Sequence, residues 1–161
     1  MNQAQADELV TNLQPFIALK EQWDSIILGG SMALIIQKAI NYRTSTDIDL
    51  VGHCYYAFKG QKLVHQTGSD DDVNCHTISI NERQYDYFVN PKVIYENVEF
   101  QGIQLRVQSP KQIMEAKLVY FHKYGIPKHR LDIINYFDII TNGYKEKPVI
   151  VSNSEDDDLP F

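Results

Sequence analysis

The chain has 161 residues, of which 43% are hydrophobic and 22% are charged, and its formal net charge at pH 7 is −6. These proportions are typical of a single globular domain with a real core, and the acidic balance argues against a sequence-independent nucleic-acid binder, which normally presents a basic surface. No run of about 18 apolar residues and no N-terminal signal peptide is present, so we expect a cytoplasmic protein without a membrane span.

The first half of the chain alternates helical and extended patterns. Pro15 lies inside the first helical pattern and indicates a kink, a break or a shifted boundary. Ser31 follows two glycines and suits the N-cap of the second helix. The predicted elements are a helix over 6–22, a strand over 25–28, a helix over 31–41, a strand over 46–51, and an ambiguous stretch over 53–72 with a possible short helix at 56–64.

The second half begins with strand patterns and ends with two helices. Alternating residues predict a hairpin around Asn81 and Glu82, and Ser109 before Pro110 is a favoured helix start. The predicted elements are strands over 75–80 and 83–88, small strands at 93–95 and 99–103, a strand over 103–107, and helices over 109–123 and 128–141. We therefore expect an α/β fold over 1–147, a small mixed sheet flanked by helices, followed by a tail over 148–161.

Two glycines at the start of the second helix predict an anion site. The apolar run Ile26–Leu28 feeds Gly29 and Gly30, after which the helix opens at Ser31. A strand, a glycine turn and a helix N-terminus together expose unpaired backbone N–H groups.

Two acids follow on the next predicted strand. Asp47 and Asp49 are two residues apart, so on a strand both carboxylates point to one side. Two carboxylates beside a phosphate-sized hole are what a complex of Mg²⁺ and a nucleotide requires.

The order of these two motifs resembles the polymerase-β-like nucleotidyltransferase superfamily, and more closely its AbiEii-type, toxin-like branch. The first motif of that branch, Gly-Gly-Ser/Thr-x-Ala-Leu, is matched by Gly29, Gly30, Ser31, Ala33 and Leu34. The second, Arg-x-Ser-x-Asp-hydrophobic-Asp, is matched by Arg43, Ser45, Asp47, Ile48 and Asp49. The resemblance implies Mg²⁺-dependent transfer of NMP from an NTP to a hydroxyl.

Two further motifs of the family extend the resemblance to about residue 140. Ser109 to Lys117 fits Ser-x-x-x-hydrophobic-x-x-x-Lys, which implies that Lys117 contacts the triphosphate. Arg130, Asp132 and Asn135 stand near the usual Arg-Asp-x-x-Asp, but a Leu separates Arg130 from Asp132, and Asn135 replaces an acid. Asp132 is therefore a candidate catalytic residue, in a motif that departs from the family pattern at two positions.

A third carboxylate is predicted from an aromatic strand. Asp86 lies between Tyr85 and Tyr87, so it faces the opposite side of the strand from both rings. A lone Asp in such a strand is costly to bury unless it is paired or bound to metal. We expect Asp86 to be a second metal ligand or a general base for the attacking hydroxyl, against the alternative of a carboxylate that faces water.

The last ten residues form the other distinctive motif. They have no core-forming pattern, and they end in an acidic run and a hydrophobic tip: Asp156, Asp157, Asp158, Leu159, Pro160 and Phe161. This tip resembles that of bacterial single-stranded-DNA-binding proteins. The resemblance implies docking of the terminal Phe in an apolar pocket of replication or repair proteins.

The residues together predict a nucleotidyltransferase with Mg²⁺ as cofactor and an NTP as substrate. Asp47, Asp49 and Asp86 would hold metal, while Gly29, Gly30, Ser31, Arg43 and Lys117 would bind nucleotide. The acceptor stays open among an RNA end, a protein side chain and a small molecule. The alternative is a non-catalytic adaptor that presents the tail, although an adaptor has no need of clustered acids.

Overall fold

The computed structural model describes residues 1–53, 62–67 and 75–146, with the backbone alone described for 62–67. The predictions for the 148–161 tail, including Asp156 to Phe161, lie outside the described residues. The elements are α1 (Gln3–Gln22), β1 (Ile27–Leu28), α2 (Gly30–Ile36), β2 (Asp49–Gly52), β3 (Lys62–Thr67), β4 (Cys75–Ile80), β5 (Arg83–Val89), β6 (Tyr95–Phe100), β7 (Ile103–Gln108), α3 (Pro110–Tyr124) and α4 (Pro127–Asn142).

The strands form one mixed sheet in the order β3-β4-β5-β2-β1-β7-β6. Strand β1 pairs parallel with β7, and β2 pairs parallel with β5. The remaining pairs are antiparallel, including the hairpins β4–β5 and β6–β7. The expected α/β class, a mixed sheet flanked by helices, is confirmed.

The hairpin turns follow from their backbone angles. Asn81 and Glu82 have φ of 50° and 66°, so the predicted β4–β5 hairpin closes through two residues in the left-handed region. Gln101 and Gly102 close the β6–β7 hairpin in the same way, with φ of 51° and 77°. The two small strands expected at 93–95 and 99–103 are wrong, because one continuous strand, β6, pairs along the whole length of β7.

The core is built from side chains of the sheet, of α1 and α2, and of the start of α3. Leu9, Leu13 and Phe16 of α1 are fully buried, at the i, i+4, i+7 spacing of one helix face. They pack with buried side chains of α2 and of the central strands. Helix α1 runs through Pro15 without a break, so Pro15 shifts no boundary. Among the helices that the structure describes, none combines the length and apolar character needed to cross a membrane.

Three expectations near the predicted site are wrong in detail. Helix α2 ends at Ile36, short of residue 41, and its N-cap is Gly29, which leaves Ser31 inside the first turn. Strand β2 begins at Asp49, so Asp47 precedes the strand instead of lying on it. The possible helix at 56–64 fails for its last three residues, which belong to β3, and its other residues lie outside the described part.

Candidate active site

The turn between β1 and α2 lies directly against Asp49. The amide of Gly29 donates to the carbonyl of Asp49 over 2.8 Å. Gly30 has a φ of +63°, and a Cβ placed on it would collide with the carboxylate of Asp49. The second glycine of the motif is therefore required both for the backbone conformation and for the close approach of the acid.

The three predicted acids line one cavity of about 490 Å³. Asp49 on β2 and Asp86 on β5 are Cα partners in the parallel register, which places both side chains on one face of the sheet. Asp47, two residues before Asp49, reaches the same cavity from the segment that enters β2. Asp47 and Asp86 are exposed, while Asp49 is half-buried between them.

The carboxylate of Asp49 has a raised pKa. Burial raises its pKa to about 6, the charge of Asp86 adds to the rise, and Lys117 works against it. Within the described part of the chain its carboxylate makes no hydrogen bond. Burial and like-charged neighbours destabilise the ionised form of this carboxylate, and a hard cation such as Mg²⁺ would stabilise it.

The acids stand around the cavity as an open arrangement. No group of three or more His, Cys, Asp or Glu side chains among the residues described is close enough to hold a metal ion by itself. Mg²⁺ usually keeps several waters and binds one or two carboxylates together with substrate phosphates. The donor set of Asp47, Asp49 and Asp86 fits that mode of binding.

A cationic cluster of Arg43 and Lys117 also lines the cavity and is organised by Asp132 of α4. Arg43 donates to both carboxylate oxygens of Asp132, over 2.9 Å from Nε and 2.8 Å from an Nη atom. The Nζ of Lys117 on α3 lies 2.9 Å from Asp132 Oδ2. Burial raises the pKa of Asp132, but the hydrogen bonds from Arg43 and the charge of Lys117 outweigh it, so the net shift is downward.

Ser31 completes this cluster. Its hydroxyl accepts hydrogen bonds from Arg43 over 2.7 Å and from Lys117 over 3.1 Å, and donates to Asp132 over 3.2 Å. The side chain is therefore no helix cap but the link between α2 and the two cations. Asp132 does not line the cavity, whereas Ser31, Arg43 and Lys117 do.

His129 lines the site, although the predicted catalytic and nucleotide-binding residues did not include it. Its Nδ1 lies 3.4 Å from Lys117 Nζ, and because an ammonium only donates, Nδ1 accepts and the ring proton is on Nε2. Burial lowers its pKa to about 4, and the charge of Lys117 adds to the effect. The ring is therefore neutral at pH 7. The signal was its spacing, since His129 and Asp132 are three apart and share one face of α4.

A second cavity of about 370 Å³ adjoins the first. The two share five lining residues: Asp49, Phe88, Lys117, Tyr120 and His129. The second cavity extends from Asp49 between the end of β5 and the face of α3, where Ile113 and Val119 line it.

Solved structures with similar folds were found. An antibiotic-resistance factor, ANT(2'')-Ia, is 14% identical with a TM-score of 0.55, covering 87% of this chain and 86% of its own. A lincosamide antibiotic adenylyltransferase, LnuA, solved with lincomycin bound, is 18% identical with a TM-score of 0.50, covering 80% and 96%. An antigenic nucleotidyltransferase-like protein from Paracoccidioides brasiliensis is 14% identical with a TM-score of 0.49, covering 84% and 76%.

No protein-family model matches the chain, and no curated protein matches it significantly. At such low identity the likeness to the first two structures concerns the fold. The chain has a nucleotidyltransferase fold, as the resemblance in its motifs predicted.

Proposed function

We propose that the protein transfers NMP from an NTP to a hydroxyl acceptor in a Mg²⁺-dependent reaction. One observation carries the proposal: Asp49, flanked by Asp47 and Asp86, faces the same cavity as Arg43 and Lys117. Carboxylates and cations around one cavity match a metal–triphosphate complex, because the metal needs negative ligands and the phosphate oxygens need positive charge.

Asp47 and Asp49 would hold Mg²⁺, and Asp86 would hold a second ion or orient the nucleophile. When bound, the metal neutralises the charge that develops on the phosphate oxygens during transfer. Asp86 is exposed and adjacent to Asp49, so it is placed to accept the proton of an incoming hydroxyl.

The bonds formed and broken and the proton released in the transfer can all be accounted for with these groups. The acceptor oxygen forms a bond to the α-phosphorus while the bond from the α-phosphorus to the bridging oxygen breaks. Pyrophosphate leaves with the electron pair of that bond, and the hydroxyl proton passes to the carboxylate of Asp86. The attacking and leaving oxygens lie in line on opposite sides of the phosphorus.

The remaining predicted residues position and neutralise the phosphates. Gly29 and Gly30 bring the backbone against Asp49, and Ser31, Arg43 and Lys117 present hydroxyl and positive charge to the triphosphate. Asp132 acts through Arg43 and Lys117, which it fixes in place, and we assign it as a positioning residue. This refines the catalytic role expected of it.

Finer assignments rest on the sequence motifs. The Gly-Gly-Ser-x-Ala-Leu and Arg-x-Ser-x-Asp-x-Asp patterns support membership of the AbiEii-type, toxin-like branch, with RNA, protein or small molecule as the acceptor. The terminal Asp156 to Phe161 supports recruitment to proteins that recognise the single-stranded-DNA-binding tip. In a phage or mobile-element product, such a tail would recruit the enzyme to replication or repair proteins of the host.

A labelling assay tests the proposal. Purified protein is incubated with Mg²⁺, each α-labelled NTP, and total RNA or lysate as the acceptor pool. We expect label on an acceptor with release of pyrophosphate, and loss of both in Asp49→Asn. Asp24→Asn, which changes an exposed acid outside both cavities, is the matched control. Equal labelling by wild type and Asp49→Asn would refute the proposal, as would no labelling by either.

A further inference from the structure

We infer that the second cavity is the acceptor subsite and that it takes a small, uncharged ring compound bearing the reacting hydroxyl. The inference rests on the proposed function and names its acceptor class. It is carried by the contrast between two adjoining cavities that meet at Asp49, one strongly charged and one nearly neutral.

The charges divide sharply between the cavities. Among the residues described, the charged side chains lining the second cavity are Asp49 and Lys117, both shared with the first, and His129 is neutral. Lys117 is buried and already contacts three partners. Four further charged side chains line the first cavity alone: Arg43, Asp47, Asp86 and Lys128.

The geometry of the reaction assigns the first cavity to the triphosphate and the second to the acceptor. The triphosphate needs the cations and acids of the first cavity, so pyrophosphate leaves on that side. An acceptor hydroxyl must approach the α-phosphorus from the side away from pyrophosphate. The second cavity adjoins Asp49 and lacks Arg43 and Lys128, and it therefore suits the approach of the acceptor.

The walls of the second cavity suit a ring. Phe88 and Tyr120 meet edge to face, with centroids 6.3 Å apart and an interplanar angle of 76°. The buried Ile113 of α3 also lines this cavity. A volume of about 370 Å³ lies within the range of small-molecule pockets, which are apolar with a few placed polar groups.

Two amide groups supply those polar contacts. The side-chain Oδ1 of Asn90 accepts a hydrogen bond from the backbone N–H of Lys92, and the side-chain Nε2 of Gln108 donates to Oε1 of Gln112. This leaves Asn90 Nδ2 as a donor and Gln108 Oε1 as an acceptor without a hydrogen bond in the described part of the chain. Gln108 lines the cavity, so this oxygen can accept a hydrogen bond from a ligand there.

Charged acceptors fit this cavity poorly. A phosphate of an RNA end would lose its hydration with no free cation among the lining residues described. A polycation would find only Asp49, which the proposed metal already uses. A neutral compound meets neither penalty.

The test uses a library of hydroxyl-bearing ring fragments, divided equally among neutral, anionic and cationic members. Binding is read by saturation-transfer NMR on the full chain, saturated with Mg²⁺ and the α,β-methylene analogue of the NTP. Ala116→Trp fills the second cavity from an exposed position of α3, and Leu118→Trp, which lines neither cavity, is the control.

We expect neutral fragments to dominate the hits and to bind at least about tenfold more weakly to Ala116→Trp, with no change in Leu118→Trp. Mostly charged hits, hits that survive in Ala116→Trp, or an absence of hits that this variant blocks would overturn the inference. Calorimetry with Mg²⁺ and each NTP reports separately on the proposed function. Nucleotide binding together with any of the failures above would refute the inference alone, whereas no nucleotide binding would refute the proposed function and the acceptor assignment with it.

Discussion

Asp49 and Asp86 are paired in register on the parallel strands β2 and β5, and both line the first cavity. Together with burial, the charge of Asp86 raises the pKa of Asp49 to about 6. The folded protein thus brings carboxylates together at a cost in electrostatic free energy, which a bound cation would offset.

The first prediction is that the stability of the metal-free protein falls as the pH rises through 6. Unfolded Asp49 loses its proton near its ordinary pKa of 3.8, whereas folded Asp49 keeps it to about 6. Its contribution to stability is full below the lower value and is lost as pH rises through the upper one, by on the order of 3 kcal/mol.

Urea unfolding of wild type and Asp49→Asn between pH 4 and pH 7.5, with chelator present, measures this loss. The free energy of unfolding of wild type should fall relative to that of Asp49→Asn as the pH rises, and Mg²⁺ should restore it in wild type alone. Parallel pH profiles would contradict the assignment of the raised pKa to Asp49.

The second prediction concerns the buried ion pairs. Asp132→Ala should destabilise the protein by about 3–5 kcal/mol, because it leaves Lys117 and Arg43 without their carboxylate. Asp47→Ala removes a carboxylate whose pair with Lys128 is exposed, 3.5 Å long, and should cost less than about 1 kcal/mol. Denaturant titration of both variants measures the two losses in the free energy of unfolding. Equal losses would mean that the cluster contributes no more than a surface pair.

The third prediction separates backbone conformation from contact at the glycine turn. Gly30 and Gly125 both have positive φ, 63° and 61°, but a Cβ on Gly125 meets no atom within 4 Å. Either change to Ala should cost about 1–2 kcal/mol from the left-handed backbone. Only Gly30→Ala should also displace the Asp49 carboxylate and abolish Mg²⁺ binding by calorimetry. Normal Mg²⁺ binding in Gly30→Ala would show that the close approach is dispensable.

The fourth prediction concerns the tail. A pull-down from bacterial lysate should recover replication and repair proteins with wild type and lose them when Phe161 is deleted, because a terminal aromatic in a pocket is the expected hot spot. The aspartates should add salt-sensitive affinity. Ser152→Ala is the matched control. Equal recovery with and without Phe161 would refute the resemblance to the single-stranded-DNA-binding tip.

Local chemistry made much of this fold predictable from the sequence. The β4–β5 hairpin follows from alternation around two turn residues, and α3 follows from Ser109 and Pro110 before a helical pattern. The boundaries of these elements depend on residues close together in the chain. The sequence pattern was misleading for β6, which pairs along the whole of β7, and for the late start of β2, whose partner β5 is distant in the chain.

The candidate site divides in the same way. Asp49 and Gly30 were identifiable because residue type and spacing carry their chemistry. The hydroxyl of Ser31 was assigned to a helix cap, since nothing nearby in the chain revealed Arg43 and Lys117 as its partners. The neutral state of His129 likewise depends on burial against Lys117, which only the packing of α3 on α4 creates.

The parallel pairing of β2 with β5 also has a consequence for the order of folding. The two strands of the β4–β5 hairpin pair with each other through residues close in the chain and can do so early, whereas joining Asp49 to Asp86 requires closing a long loop. The like-charge repulsion therefore arises only when this late contact is made. We expect a cation to slow unfolding more than it speeds folding, so that the half-life of the native state reports occupancy of the acids.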